Sequence, residues 1–197
     1  MSKNTGPNKK NLEQTRKLFL KIAKKEFITY GYADSSTNRI VEASGMARGS
    51  LYYHFKDKRH LFFAVYTQML ADMDKRIRKK MEDVEDPWQA IKLGCNLFLK
   101  ECKNQNTRKL LIEGLTAIPY NERLAIHSKT LLKTFEEYLG PSMKNGQFKG
   151  QDPLIVTIMI YGMMSELGRS FELVGKPEQY LKQITDSLNR TLDKIAA

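Results

Sequence analysis

Between Ser36 and Lys58 the chain reads as two helix-length segments set apart by one glycine, and this unit constrains the fold more than any other stretch. Ser36 is a good N-cap, because its side-chain oxygen can accept a first-turn backbone N–H. A short helix runs from it through Ile40 and Val41 to Ser44, and Gly45 supplies the turn. A second short helix follows from about Ala47 to His54. Two short helices about a glycine turn form a helix-turn-helix unit. Ile40, Leu51 and Phe55 anchor it to a core, which leaves Arg48, Ser50, Tyr52 and Tyr53 facing outward. A helix of this size fits the DNA major groove, where arginine grips guanine and close backbone approach calls for a small residue such as Gly49. His54 and Lys58 follow as phosphate contacts. On the competing reading the glycine turn is a packing corner and Tyr52 and Tyr53 are half-buried aromatics.

Charge bears on that choice. Residues 1–80 hold 18 Lys and Arg against 7 Asp and Glu, whereas residues 81–197 hold 15 of each, so the whole net charge of +11 is N-terminal. A basic block joined to a neutral one suggests that one part meets a polyanion and the other does not. Nucleic acid is the first candidate and an anionic membrane surface the second; a helical enzyme or ligand carrier that keeps the unit only as scaffold is a third reading. No signal-peptide-like stretch opens the chain, and the apolar run Leu154–Met164 is too short to span a bilayer. A cytoplasmic protein with no membrane partner is expected.

The remaining chain reads as all-α. Residues 1–10 lack apolar periodicity and are expected to be a disordered basic arm. Leu18, Phe19, Ile22, Ala23, Phe27 and Tyr30 recur at helical spacing from Asn11 until Gly31 ends the helix. Asp57 caps a long helix with Phe62, Val65, Tyr66, Met69, Met73 and Ile77 as its stripe. Asp86-Pro87 and Asp152-Pro153 are helix starts, a capping carboxylate before a proline. Leu124, Leu131, Phe135 and Tyr138 predict one helix closed by Gly140-Pro141, with a less distinct one over 107–117 before it. Leu181, Ile184, Leu188, Leu192 and Ile195 mark the last helix.

The segment Leu51-Tyr52-Tyr53-His54-Phe55-Lys56-Asp57-Lys58 resembles the ending of the TetR-family motif, and the likeness extends over about residues 15–62. It implies an N-terminal three-helix DNA-binding domain, 11–56, and a larger helical effector-binding and dimerisation domain, 57–197. Carried over position by position, it makes Arg48, Gly49 and Ser50 base-reading residues. Thr37, Tyr52, Tyr53, His54 and Lys58 become phosphate contacts, Ser36 a helix cap and Asn38 a candidate for a base edge. Ala47, Val41 and Ser44 depart from the family's usual residues; Ala47 forgoes an N-cap hydroxyl that is typically worth about 1 kcal/mol.

The resemblance also implies a regulator, in the first instance a repressor, that binds a palindromic double-stranded operator as a homodimer through helices over 153–175 and 177–196. Two stripes on the former fit that role: Leu154, Ile158, Tyr161, Ser165, Gly168 and Phe171, and Val156, Met159, Met163, Leu167 and Val174. Gly162 and Gly168 sit mid-helix at a cost of about 1 kcal/mol each relative to alanine, which a close approach by a helix or ligand would explain as well as plain packing. Trp88, Phe98, Phe135, Tyr138, Tyr161 and Met164 are candidates to line a pocket for a small apolar effector, against a core role for most of them. Cys95 and Cys102, roughly 10 Å apart on one helix, are too far apart for a disulfide, and with His127 they lack metal-ligand spacing. No GxGxxG, GxxxxGK[ST], HExxH or GxSxG occurs, so no cofactor, metal or catalytic residue is expected.

Overall fold

The computed structural model describes residues 9–197 and builds them from ten α-helices and one short 3₁₀ turn, with no strand among the described residues. Helix α1 (Lys9–Asp34), α2 (Thr37–Ser44) and α3 (Arg48–His54) pack together, with Phe19, Ala23, Phe27, Ile40, Leu51 and Phe55 buried between them. Lys9 and Lys10 thus belong to a helix rather than to a disordered arm; the rest of the expected arm lies outside the described residues.

Gly31 breaks α1 at φ 78° and ψ 174°, and one more turn follows to Asp34. A side chain there would be strained by the positive φ, and its Cβ would come within 2.7 Å of Glu113 Oε1. The kink turns the chain toward Ser36, whose hydroxyl accepts from Asn38 and Arg39 backbone N–H, as its capping role requires. Glu26, only 8% exposed, accepts from the Ser36 backbone N–H at 2.9 Å and from Arg39 Nε at 2.8 Å. That buried carboxylate fixes the entry of α2 against α1.

Helix α4 (Lys58–Met81), capped by Asp57, joins this unit to the rest and buries all six residues of its predicted stripe. Helix α5 (Pro87–Lys103) forms the axis of the larger part, packing against α4, α6 (Gln105–Ala117), α8 (Leu131–Lys144), α9 (Pro153–Arg169) and α10 (Pro177–Ala196). Its Asp86 cap accepts from Trp88 and Gln89, and Asp152 does the same for Leu154 and Ile155 at the start of α9. Cys95 and Cys102 are both free and buried on α5.

Two expectations need correction. The helix predicted from Leu124 to Gly140 is two, α7 (Tyr120–His127) and α8, and α8 runs past Gly140-Pro141 to Lys144. Proline removes one helical hydrogen bond, but Leu139 and Ser142 are buried beside it and the Ser142 hydroxyl donates to the Tyr138 carbonyl at 2.9 Å. The faces of α9 also divide otherwise than predicted. Val156, Ile160, Met164 and Gly168 point inward, while Leu154, Ile155, Ile158 and Met159 are 43–61% exposed. Apolar residues around the whole helix leave its rotational phase unreadable in the sequence. A Cβ on Gly168 would lie 2.9 Å from Cys102 Sγ, a packing reason for that glycine; Gly162 faces open space.

Candidate nucleic-acid interface

Helix α3 is anchored to its own subunit by the buried Leu51 and the flanking Phe55, with Ser50 and His54 half-buried beside them, and its remaining face is open. Arg48 and Gly49 are exposed, Ser50 is half-buried, and Tyr52 and Tyr53 are 39% and 67% exposed. No atom lies within 4 Å of where a Gly49 Cβ would sit, and its φ is not positive. The fold therefore gives no reason for glycine at the second position of a helix, where alanine would be favoured. Ala47 provides no side-chain cap to α3.

Around this helix the polar groups are ordered in pairs. The Tyr52 hydroxyl is 3.4 Å from Thr37 Oγ1, and the Arg48 guanidinium is 5.5 Å from the Tyr52 ring centroid. The Thr37 hydroxyl, and then Arg48, hold the phenol below its usual pKa. Asn38 is exposed one residue beyond Thr37. His54 is tilted against Phe19 with centroids 6.4 Å apart and stands edge-on to Tyr53 at 5.2 Å. Burial, with the charge of Arg16 adding to it, pushes the imidazole pKa down, so the neutral ring offers a single N–H.

Lys58 departs from its predicted role. Its ammonium donates to the carbonyls of Tyr32, Ala33 and Ser35 at 2.9, 3.0 and 3.1 Å. All three donors are thus spent on closing the last turn of α1, and none is left for a phosphate. Arg39, next to the predicted contacts, is committed likewise, to Glu26 and the Asp34 carbonyl, and lies 4.1 Å from the Tyr30 ring centroid.

A second feature lies inside the larger part. Residues of α4, α5, α6, α7 and α9 line a partly open cavity of about 40 Å³, measured to the centre of a water-sized sphere, which is room for a few waters. Of the six predicted pocket residues, it brings together Phe98 and Tyr161. Trp88 instead stands edge-on to Phe148 at 5.1 Å and donates to Asp193 at 3.3 Å. Phe135 and Met164 are buried in the core and Tyr138 packs against it. Sequence reasoning missed Tyr66, Arg123 and His127, which line the cavity from helices far apart in the chain; no local pattern marks them. Tyr66 hydroxyl and His127 Nε2 are 3.2 Å apart. Burial pushes Tyr66 up, and burial followed by the charge of Arg123 pushes His127 down to about 4.

An exposed short helix, presented by a glycine turn on a basic three-helix unit that packs against a larger helical body, defines the class: a helix-turn-helix protein with a helical C-terminal domain. Comparison with known proteins narrows it. The family model for bacterial regulatory proteins of the tetR family matches residues 19–65, and that for a tetracyclin repressor-like C-terminal domain matches residues 88–195. The chain belongs to the TetR family of DNA-binding transcriptional regulators. It is 27% identical over 176 residues to the uncharacterized HTH-type transcriptional regulator YdgC of Bacillus subtilis, covering 82% of this chain and 83% of that one. A TetR-family regulator from Pectobacterium atrosepticum has the same fold, with TM-score 0.78, 24% identity and 97% and 98% of the two chains covered. AibR, solved in complex with isovaleryl coenzyme A and operator DNA, is similar at TM-score 0.64 and 19% identity, with 87% and 96% covered. No helix among the described residues is long and apolar enough to cross a membrane.

Proposed function

We propose that this regulator is a cytoplasmic repressor that grips a palindromic operator as a homodimer and is released by a small molecule. In this reading residues 11–56 are the DNA-binding domain and residues 57–197 the effector and dimer domain. Arg48, Gly49 and Ser50 read bases, Asn38 reaches a base edge, and Thr37, Tyr52, Tyr53 and His54 hold phosphates. The observation that carries it is the outward face of α3, where a glycine with no packing duty sits between an exposed arginine and a serine. Two copies of α3 would enter successive major grooves roughly 34 to 36 Å apart.

Dimerisation is supported by the apolar face of α9, where Leu154, Ile155, Ile158 and Met159 stand exposed beside the uncovered Gly162. A contiguous patch of this kind marks an interaction surface. Helix α10 spends its apolar stripe, Ile184, Leu188 and Leu192, inside its own subunit, so its part in the interface is polar.

Contacts of α6 and α7 tie the cavity to the DNA-binding unit and to the start of α4, which leads out of it. Glu113 on α6 accepts the Tyr32 backbone N–H at 3.1 Å, and Arg59 at the start of α4 grips both oxygens of Glu122 on α7 at 2.9 Å. A ligand that shifts α6 and α7 would therefore act through them on the spacing of the recognition helices, and only a ligand with unequal affinity for the two geometries changes operator binding. AibR, with its ligand and operator, supports placing both functions in one such fold.

The test is selection of bound duplexes from a random pool, followed by titration of the selected site against scrambled DNA over a range of salt. A palindromic site with a large specificity ratio is expected. On that site Arg48→Ala should cost about 1–3 kcal/mol and relax one base position. Equal weakening on all sequences would make Arg48 a phosphate contact, and no enrichment from a folded dimer would remove the reading.

A further inference from the structure

The cavity lining contains three arginines and no carboxylate. Two of the arginines are neutralised nearby, Arg108 by Glu172 and Arg169 by Glu166. Arg108 also donates to the carbonyls of Cys102 and Lys103. Arg123 differs: among the described residues no carboxylate pairs with it. Its Nη1 reaches the carbonyls of Gly114, Leu115 and Ile118 at 3.2–3.4 Å, which is long for a charged donor. Its Nε and Nη2 make no hydrogen bond among the described residues.

His127 lies four residues on, on the same face of α7. It is 4% exposed, and its Nδ1 has no partner. The ring is neutral near pH 7, since its pKa is pushed down to about 4. In the tautomer in which the Tyr66 hydroxyl donates to Nε2, the proton sits on Nδ1 and is free to meet an acceptor. The cavity lining thus sets one buried, unpartnered nitrogen, Nδ1 of His127, beside the half-buried guanidinium of Arg123, among the apolar Phe98, Leu111 and Leu115. A buried polar atom without a partner is rare in folded proteins, and this one, a turn from a guanidinium that no carboxylate pairs among the described residues, calls for a ligand group from outside.

We propose that this cavity is the effector site and that its ligand is a small organic monocarboxylate, with a single aromatic ring or a short hydrocarbon chain as its body. This rests on the effector-release reading above. The carboxylate sits on Arg123 and His127 Nδ1, and the body lies against Phe98, Leu111 and Leu115. One negative charge matches the one uncompensated guanidinium, whereas a dianion would bury an excess charge. The planar guanidinium edge matches the two oxygens of a carboxylate. The free volume, about 40 Å³ before any ligand-induced opening, favours a compact body. Binding would draw Arg123 from the carbonyls that end α6, at the corner whose Glu113 holds the DNA-binding unit and whose Glu122 holds Arg59 at the start of α4.

The test is calorimetric titration of the full-length protein with benzoate, phenylacetate and hexanoate beside their uncharged amides, read together with operator release. At least one acid should bind tenfold or more tightly than its amide and release the operator. Arg123→Gln, with folding checked by circular dichroism, should abolish the preference for the acid, and Arg123→Lys should restore part of it. Binding of acid and amide alike, no binding of any acid, or a preference that survives Arg123→Gln would overturn the assignment. Operator release by uncharged compounds alone would remove the acid and leave the effector reading standing. An operator complex indifferent to every compound in a broad metabolite panel would count against that reading itself.

Discussion

His127 should make the fold sensitive to mild acid. Its imidazole is buried, bonded through one nitrogen to Tyr66 and close enough to Arg123 to feel its charge, and its pKa falls from 6.5 to about 4. Between those values the unfolded chain binds a proton that the folded chain refuses. Stability is therefore full above pH 6.5 and declines as pH falls toward 4. The gap is worth about 1.4 kcal/mol per pH unit, so about 3 kcal/mol in all. Between pH 7.5 and 5.5 the residue's share is about 1.3 kcal/mol, by the same linkage. That window lies above the range of Asp57, Glu137 and Asp193, whose neighbours hold them below ordinary carboxylate values. His54 is also depressed by burial and acts with the same sign, so the difference between two proteins is what counts. His127→Gln keeps an acceptor for the Tyr66 hydroxyl and removes the titration. Urea unfolding at both pH values should show a loss about 1.3 kcal/mol smaller in the variant than in the wild type. Equal losses in the two proteins would refute the burial argument.

Gly49→Ala should stabilise the protein by about 0.5–1 kcal/mol in thermal or urea unfolding, while weakening binding to the selected operator. An alanine variant that binds as tightly as the wild type would show that no DNA group approaches that backbone. Lys58→Met should lower unfolding stability by about 1–3 kcal/mol through loss of its hydrogen bonds to the end of α1. Unchanged stability with weaker DNA binding would instead return Lys58 to the phosphate contacts. Ile158→Lys, at a position 58% exposed, should leave the far-UV spectrum intact and shift light scattering from dimer to monomer; a persistent dimer would place the interface elsewhere.

Much of the site was legible because its signals are local. The caps at Ser36, Asp57, Asp86 and Asp152 act within three residues of themselves, and the turn at Gly45 depends on one residue's left-handed backbone. The outward face of α3 follows from Leu51 and Phe55 pointing inward. What a charged side chain does with its charge was not legible. Lys58 and Arg39 look as available as Arg48 in the sequence, but their partners lie 5 to 26 residues away, and only folding brings those groups within reach.

The sequence by itself determined an all-helical chain, the start of almost every helix, the helix-turn-helix and the basic N-terminal half, since each of these depends on periodicity, capping or composition. Tertiary structure alone decided which face of α9 is left uncovered, that α7 and α8 are separate, and that Phe148, at φ 51°, plugs the core against Trp88. It also decided that Tyr66, Arg123 and His127 meet around one cavity although about 60 residues separate the first from the last. Burial and partnership are sums over the whole packed molecule, and a residue's near neighbours in the chain carry almost none of that sum.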